Sequence, residues 1–192
     1  MLMSVKGTQT EQNLLKAFAG ESQAANRYDY FAKIAKNEGY VQIAELFTET
    51  ADNERQHAKQ FFKHMEGGMV EITATYPAGI LSTTADNLLA SADGELEEWG
   101  ELYPDFAGVA RKEGFDKVAE SFEAIMEAEK AHEARFRALY EKVVNKTVFV
   151  REDEQEWKCG NCGWVTKGTT PPDLCPACAH PKSHFRIKDT NY

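Results

Sequence analysis

Two four-residue stretches, Glu54-Arg55-Gln56-His57 and Glu129-Lys130-Ala131-His132, lie 75 residues apart, and each interrupts an apolar helical stripe. Around the second, Val118, Phe122, Ile125, Glu129, His132, Phe136 and Leu139 recur at steps of three and four. That spacing puts all seven side chains on one helix face turned toward a core. An unpaired carboxylate buried there costs several kcal/mol even after relaxation, on the scale of a whole domain's stability. Something must compensate it.

The compensation repeats along the chain. A shift of 75 residues lays Tyr28 on Tyr103, Phe31 on Phe106, Glu38-Gly39-Tyr40 on Glu113-Gly114-Phe115, Phe47 on Phe122 and Phe61 on Phe136. Upstream, Gly20-Glu21 falls on Gly94-Glu95 only at a shift of 74, so one extra residue lies between Glu95 and Tyr103. Inside a helix an inserted residue is most simply absorbed as a π-bulge, which predicts a broken i→i−4 ladder somewhere in 95–104.

Read in order, the chain offers four helical segments. The first covers residues 8–36, with a capping box at Thr8-Gln9-Thr10-Glu11 and a stripe of Leu14, Phe18, Ala25 and Tyr28 around Glu21. The second covers 40–65, with Ile43, Phe47, Ala51, Ala58, Phe61 and Met65 inward and Glu54 among them. The third covers 84–112, with Leu88, Ala92, Leu102, Phe106 and Val109 inward, Glu95 on the same stripe, and Pro104 placed to kink or bulge it. The fourth covers 115–145. Residues 67–82 are too long for a tight turn and read as a crossover along the length of a bundle. The fold class is therefore mainly α: a ferritin-like four-helix bundle with a long crossover, over residues 1–147.

Each half supplies a lone core glutamate followed by a Glu-x-x-His, so Glu21, Glu54, His57, Glu95, Glu129 and His132 converge. Carboxylate and imidazole at i, i+3 share a helix face, the arrangement of di-iron and di-manganese carboxylate bundles. Four carboxylates in one core would repel and take up protons unless cations neutralise them. Oxygen-rich ligation with some imidazole suits iron or manganese. Glu98, one turn beyond Glu95, has only Ala24 or Ala25 opposite it in the first half; it is either a surface charge beside Glu97 and Glu101 or a feature that makes the site asymmetric. Tyr28 and Tyr103, two turns after Glu21 and Glu95, either pack the core or donate hydrogen bonds to metal-bound carboxylates.

Residues 148–192 form an appendage. After a charged linker with room for one strand come Cys159-Gly160-Asn161-Cys162 and Cys175-Pro176-Ala177-Cys178, separated by 12 residues. This spacing closes a tetrahedral four-thiolate site. So short a segment cannot bury a stable core alone, and the metal holds its fold. Spacing leaves zinc and iron open; a redox-capable binuclear site in the same chain needs an electron supply and favours iron. Four thiolates complete the site, which leaves His180 and His184 for the surface.

Composition narrows the partners. Of 192 residues, 22 are Lys or Arg and 31 Asp or Glu, a net charge of −9 that argues against nucleic acid or an anionic membrane. The longest apolar runs are far short of a membrane span and the first seven residues lack a signal-peptide core, so the expected location is cytoplasmic. No Gly-x-Gly-x-x-Gly follows a strand, which leaves nucleotide binding to a separate protein.

Together, Gly20-Glu21-Ser22-Gln23, Glu54-Arg55-Gln56-His57, Gly94-Glu95-x-x-Glu98, Glu129-x-x-His132 and the two C-terminal cysteine pairs resemble the rubrerythrin family over essentially the whole chain. The resemblance implies a non-haem di-iron peroxidase that reduces hydrogen peroxide to water. It implies iron ligands Glu21, Glu54, His57, Glu95, Glu98, Glu129 and His132, with Glu54 and Glu129 bridging and Glu98 exchanging with His57 on reduction. It also implies a rubredoxin-like iron on Cys159, Cys162, Cys175 and Cys178, with zinc as a substitute. Its electrons would come from rubredoxin or an NAD(P)H-dependent reductase, and its subunits would form a homodimer or higher homo-oligomer. Ala179 stands where free rubredoxins usually have glycine. The rivals are a ferroxidase or iron-storage protein of ferritin type, a manganese catalase, and a di-iron bundle with a structural zinc ribbon; the first two leave the cysteine module idle.

Overall fold

The computed structural model describes residues 3–190. Helix α1 spans Gln9–Asn37, α2 Val41–His64, α3 Thr84–Glu97, α4 Tyr103–Lys112 and α5 Asp116–Val144. A π-helical turn, Glu98–Leu102, joins α3 to α4, so these three pieces form the third long rod of a four-helix bundle. Hairpin α1–α2 packs against hairpin α3/α4–α5, with residues 65–83 crossing between them without regular structure.

The inserted residue is absorbed as expected: the Tyr103 N–H reaches back to the Glu98 carbonyl, one residue further than in an α-helix. Pro104, which has no N–H, follows directly in the first turn of α4. The insertion also corrects the stripe expected for this rod. Leu88 and Ala92 are buried, but Leu102 is 38% exposed and Phe106 and Val109 are only half-buried. Tyr103, Ala107 and Ala110 face the core instead. One extra residue turns everything after it by about 100°, so a period counted straight through lands one position early.

The helix ends show how the two halves interlock. Thr8 caps α1 by accepting the Glu11 N–H at 3.2 Å, while Glu11 reaches the Gly7 N–H at 2.8 Å, one residue before the cap. Glu113, at the end of α4, accepts the Thr10 N–H at 2.8 Å, and its repeat counterpart Glu38, at the end of α1, accepts the Thr84 N–H at 3.0 Å. Each half thus satisfies orphan donors at the start of the other half's first helix. Gly39 and Gly114 turn those corners at φ +88° and +83°, a left-handed conformation that glycine adopts without strain.

Two aromatic clusters fill the bundle, and each mixes residues of both halves. Tyr28 and Phe47 meet Phe136, with ring centroids 5.3 Å and 5.2 Å from it. Tyr103 and Phe122 meet Phe61 in the same way, at 5.7 Å and 4.7 Å.

The appendage is a three-stranded antiparallel sheet ordered β2-β1-β3, where β1 is Gln155–Cys159, β2 Val165–Gly168 and β3 Phe185–Ile187. The strand expected in the linker begins only at Gln155. Buried Trp157 and Phe185 pack with Cys159 and Cys175. Against the bundle, Arg186 pairs with Glu45 of α2 at 2.6 Å, and the rings of Tyr40 and Phe149 stack 6.4 Å apart.

Candidate metal centres

Glu21 on α1, Glu54 on α2, Glu95 on α3 and Glu129 on α5 are all at most 1% exposed, and their carboxylates meet at mid-bundle. His57 Nδ1 lies 2.8 Å from Glu129 Oε1, 2.9 Å from Glu54 Oε2 and 3.7 Å from Glu21 Oε2. His132 Nδ1 lies 2.8 Å from Glu129 Oε2, 3.2 Å from Glu54 Oε1 and 3.9 Å from Glu95 Oε2. Glu54 and Glu129 therefore give one oxygen to each histidine, and Glu21 and Glu95 each serve one.

A ring nitrogen carries one hydrogen or one lone pair, so it cannot serve three carboxylates by hydrogen bonding. Many of these atoms in fact lack a hydrogen-bond partner: Glu21 Oε2, Glu54 Oε1, Glu95 Oε2, both oxygens of Glu129 and His132 Nδ1 are buried and unpaired. Buried polar atoms without partners are costly and rare. Here they point at common centres. Glu21, Glu54, His57 and Glu129 each offer an atom within 4.8 Å of the others, and so do Glu54, Glu95, Glu129 and His132. These two sets share two carboxylates, and they fit a pair of oxygen-preferring cations.

The electrostatics agree. Burial, reinforced by the Glu129 charge, holds the Glu21 carboxyl well above its usual range; burial and Glu54 do the same to Glu95. Burial opposes charge on the imidazoles too, but their close contacts with the surrounding carboxylates win, raising His57 to about 12 and His132 to about 9. Glu129 resists its burial because both histidines hold its carboxyl below the ordinary value. Without metal, protons take the place of the cations.

The tyrosines do both things expected of them: their rings pack in the aromatic clusters and their hydroxyls reach carboxylates of the cage. The Tyr28 hydroxyl donates to Glu95 Oε1 and the Tyr103 hydroxyl to Glu21 Oε1, each at 2.5 Å. Each tyrosine serves the glutamate of the opposite half. Glu98 stands apart from both four-residue sets, partly exposed, with Oε1 facing Gly20. Burial and the charge of Glu21 raise its carboxyl, so it feels the cage without entering it.

In the appendage, Cys159 Sγ lies 3.8 Å from Cys178 Sγ and Cys162 Sγ 3.6 Å from Cys175 Sγ. These separations exclude disulfides. They match a tetrahedral ion, whose bonds of about 2.3 Å set the sulfurs about 3.8 Å apart. The Gly163 N–H donates to the Cys159 carbonyl at 2.9 Å, and the Ala179 N–H to the Cys175 carbonyl at 2.8 Å. Both knuckles thus end on a left-handed residue, at φ +79° and +56°. The His180 backbone N–H lowers the Cys178 thiol to about 6, which favours the thiolate. His180 and His184 are half-buried rather than on the open surface, ring against ring at 4.7 Å, and neither joins the thiolate group.

The family model described as Rubrerythrin matches residues 12–140, and that of the rubrerythrin rubredoxin-like domain matches residues 157–186. The chain belongs to the rubrerythrin family. It is 52% identical to the rubrerythrin of Nitratidesulfovibrio vulgaris over the whole of both chains. It is 54% identical to that of Porphyromonas gingivalis over all of this chain and 96% of the other. A solved structure described as fully reduced, all-ferrous nigerythrin superimposes with TM-score 0.63 at 32% identity, covering 96% of this chain and 92% of that one. A bacterioferritin of Desulfovibrio desulfuricans, described with its diiron site, superimposes with TM-score 0.63 at 25% identity over 72% of this chain and 82% of its own. This rubrerythrin-family chain therefore combines a carboxylate–histidine di-iron site in a ferritin-like bundle with a four-cysteine rubredoxin-like domain. None of its described helices is long and apolar enough to cross a membrane.

Two residues around the site escape a motif-based reading: Arg27 and Tyr76 line the same cavity as Gly20 and Glu98. A glycine in the middle of α1, echoed by Gly94 in α3, is the signal that marks the place.

Proposed function

We propose that this protein is a peroxidase that reduces hydrogen peroxide to water, acting in the cytoplasm as a defence against peroxide. The observation that carries this reading is the presence, in one chain, of a two-metal carboxylate cage and a separate four-thiolate site. A storage or mineralising protein has no use for the second.

Glu54 and Glu129 would bridge the two irons, Glu21 and His57 would complete one, and Glu95 and His132 the other. When bound, the iron pair supplies two electrons to the O–O bond of peroxide. The protein's own groups set the conditions. Tyr28 and Tyr103 hold Glu95 and Glu21 in place through hydrogen bonds and keep their protons next to the ligand oxygens. The buried aromatic clusters on either side exclude water and keep the carboxylates from relaxing into solvent. Glu98, just outside the cage, would be a further carboxylate available to the metal pair alongside His57.

Cys159, Cys162, Cys175 and Cys178 would hold a single iron that returns electrons one at a time, drawn from rubredoxin or an NAD(P)H-dependent reductase. In a homodimer or higher homo-oligomer, the rubredoxin-like domain of one subunit would serve the di-iron site of another.

The test is a stopped-flow experiment on anaerobically reduced protein, mixed separately with hydrogen peroxide and dioxygen while each metal centre is followed by its absorbance. Rapid oxidation of both centres by peroxide supports the reading. A redox-silent thiolate site, or iron mineral growth without peroxide turnover, would falsify it and favour the ferroxidase alternative.

A further inference from the structure

Between the crossover and the bundle lies a cavity of about 270 Å³. Thr73–Pro77 of the crossover form its outer wall, and the Tyr76 hydroxyl ties that wall to α1 by donating to the Lys16 carbonyl at 2.6 Å. On the inner side it reaches Glu98 and the rings of Tyr28 and Tyr103, the residues next to the metal cage. Gly20 sits between wall and cage: a Cβ there would meet Tyr76 Cε1 at 3.6 Å and Glu98 Oε1 at 3.7 Å. Glycine inside a helix is destabilising relative to alanine, so its place here needs a reason. A side chain at 20 would begin to fill the gap between Tyr76 and Glu98.

The cavity is larger than hydrogen peroxide requires. A water takes about 30 Å³ in the liquid, and a dry cavity of about 150 Å³ already holds benzene. Its walls are mainly carbon, from Ala17, Ala24, Pro77, Leu102 and Phe106. Lys16, Gln23, Arg27, Glu97 and Glu98 supply its polar part, and the larger carbon surface favours a hydrocarbon group.

We propose that this cavity holds the hydrocarbon part of an organic hydroperoxide, with its O–O group beside Glu98 and the cage, so that alkyl and aryl hydroperoxides of about six to nine carbons are substrates alongside hydrogen peroxide. The inference rests on the peroxide-reducing function proposed above. The reaction converts ROOH, two electrons and two protons into ROH and water. The O–O bond breaks, the two electrons would come from a reduced iron pair held by the cage carboxylates and histidines, and protons from solvent end on the two oxygens. Tyr76 and Leu102 are specificity-determining residues, because they shape the wall and the rim and belong to neither of the two metal-holding sets.

The test compares hydrogen peroxide with cumene hydroperoxide on the full-length, iron-loaded, anaerobically reduced protein. Both oxidise the wild type. Leu102→Trp, at a position exposed enough to accept the larger ring, slows cumene hydroperoxide by roughly ten-fold or more and leaves hydrogen peroxide within about two-fold. Tyr76→Ala enlarges the cavity and raises the relative rate with bulkier hydroperoxides. A second readout needs no turnover: calorimetry detects saturable binding of 2-phenylpropan-2-ol, the alcohol product, and Leu102→Trp weakens it. Oxidation by hydrogen peroxide but not cumene hydroperoxide, equal slowing of both in Leu102→Trp, or no binding of the alcohol overturns the cavity assignment and leaves the peroxidase reading standing. If neither peroxide oxidises the wild type, the peroxidase reading itself fails.

Discussion

The Tyr28 hydroxyl, on the first helix, donates a 2.5 Å hydrogen bond to the carboxylate of Glu95, on the third. Its repeat counterpart Tyr103 donates to Glu21. The exchange ties the two halves together at the level of single carboxylate oxygens. Tyr28→Phe keeps the ring in its aromatic cluster but leaves a buried acceptor unpaired, at a cost of about 1–3 kcal/mol. Thermal unfolding of the metal-loaded protein should show that loss, and peroxide turnover should fall with it. Full turnover and an unchanged melting temperature would remove the tyrosine from the site.

Bridging and terminal carboxylates should differ in metal stoichiometry. Glu129 contributes an oxygen to each of the two sets, whereas Glu21 belongs to one. Glu129→Ala should lose both metals of the cage, and Glu21→Ala should lose one and retain the other. Metal analysis after desalting decides it; equal losses in the two variants would mean that Glu129 does not bridge.

Stability of the metal-free protein should fall as pH rises. Glu21, Glu95 and Glu98 have raised carboxyls, so the folded state keeps protons that the unfolded state releases once pH passes about 4.5. The raised imidazoles act in the same sense: their contribution is complete below about 6.5 and is lost as pH climbs through about 9 for His132 and about 12 for His57. Glu129, with its lowered carboxyl, works the other way and weakens the fold only in acid. Unfolding of chelator-treated protein should therefore give a lower midpoint at pH 9 than at pH 6, and loading metal should release protons into weakly buffered solution. A midpoint that rises between those two values would contradict this charge assignment.

Removing Gly100 from the π turn should leave the bundle standing. Glu21 and Tyr28 are seven residues apart in the first half, Glu95 and Tyr103 eight in the second, so the deletion restores the simpler spacing. Helical content and metal binding by the cage should survive, while Glu98 moves out of place and sustained turnover drops. Collapse of the fold would show that the extra residue is structural.

Among the described residues, two positions carry a left-handed conformation on a residue other than glycine. Lys146, just after α5, has φ +58°, and its neighbour Thr147 closes the helix by donating to the Lys142 carbonyl at 2.8 Å. Ala179 has φ +56° in the second cysteine knuckle. A side chain in this region costs about 1–2 kcal/mol, partly offset by the greater freedom of glycine in the unfolded chain. Lys146→Gly should raise the stability of the bundle, and Ala179→Gly should slow metal loss from the cysteine site to a chelator. Denaturant unfolding and metal-release kinetics measure the two effects.

Helix positions, the convergence of four glutamates and two histidines, and the π turn were legible in the sequence, because each is set by spacing along one chain segment. Apolar periodicity marks a helix face. A duplicated Glu-x-x-His marks a shared pair of metals. A one-residue mismatch between repeats marks the turn that absorbs it. The partner of each tyrosine was not legible: Tyr28 lies on the same helix as Glu21 yet bonds Glu95, and only the antiparallel packing of the two hairpins decides that. The same holds for Glu113 capping α1 and for Tyr76 folding over Gly20, contacts of 103 and about 56 residues' separation in sequence. The exposure of Leu102 likewise follows from the register set after the π turn. Local spacing determined which groups this chain could bring together; the direction in which its helices pack determined which atoms meet.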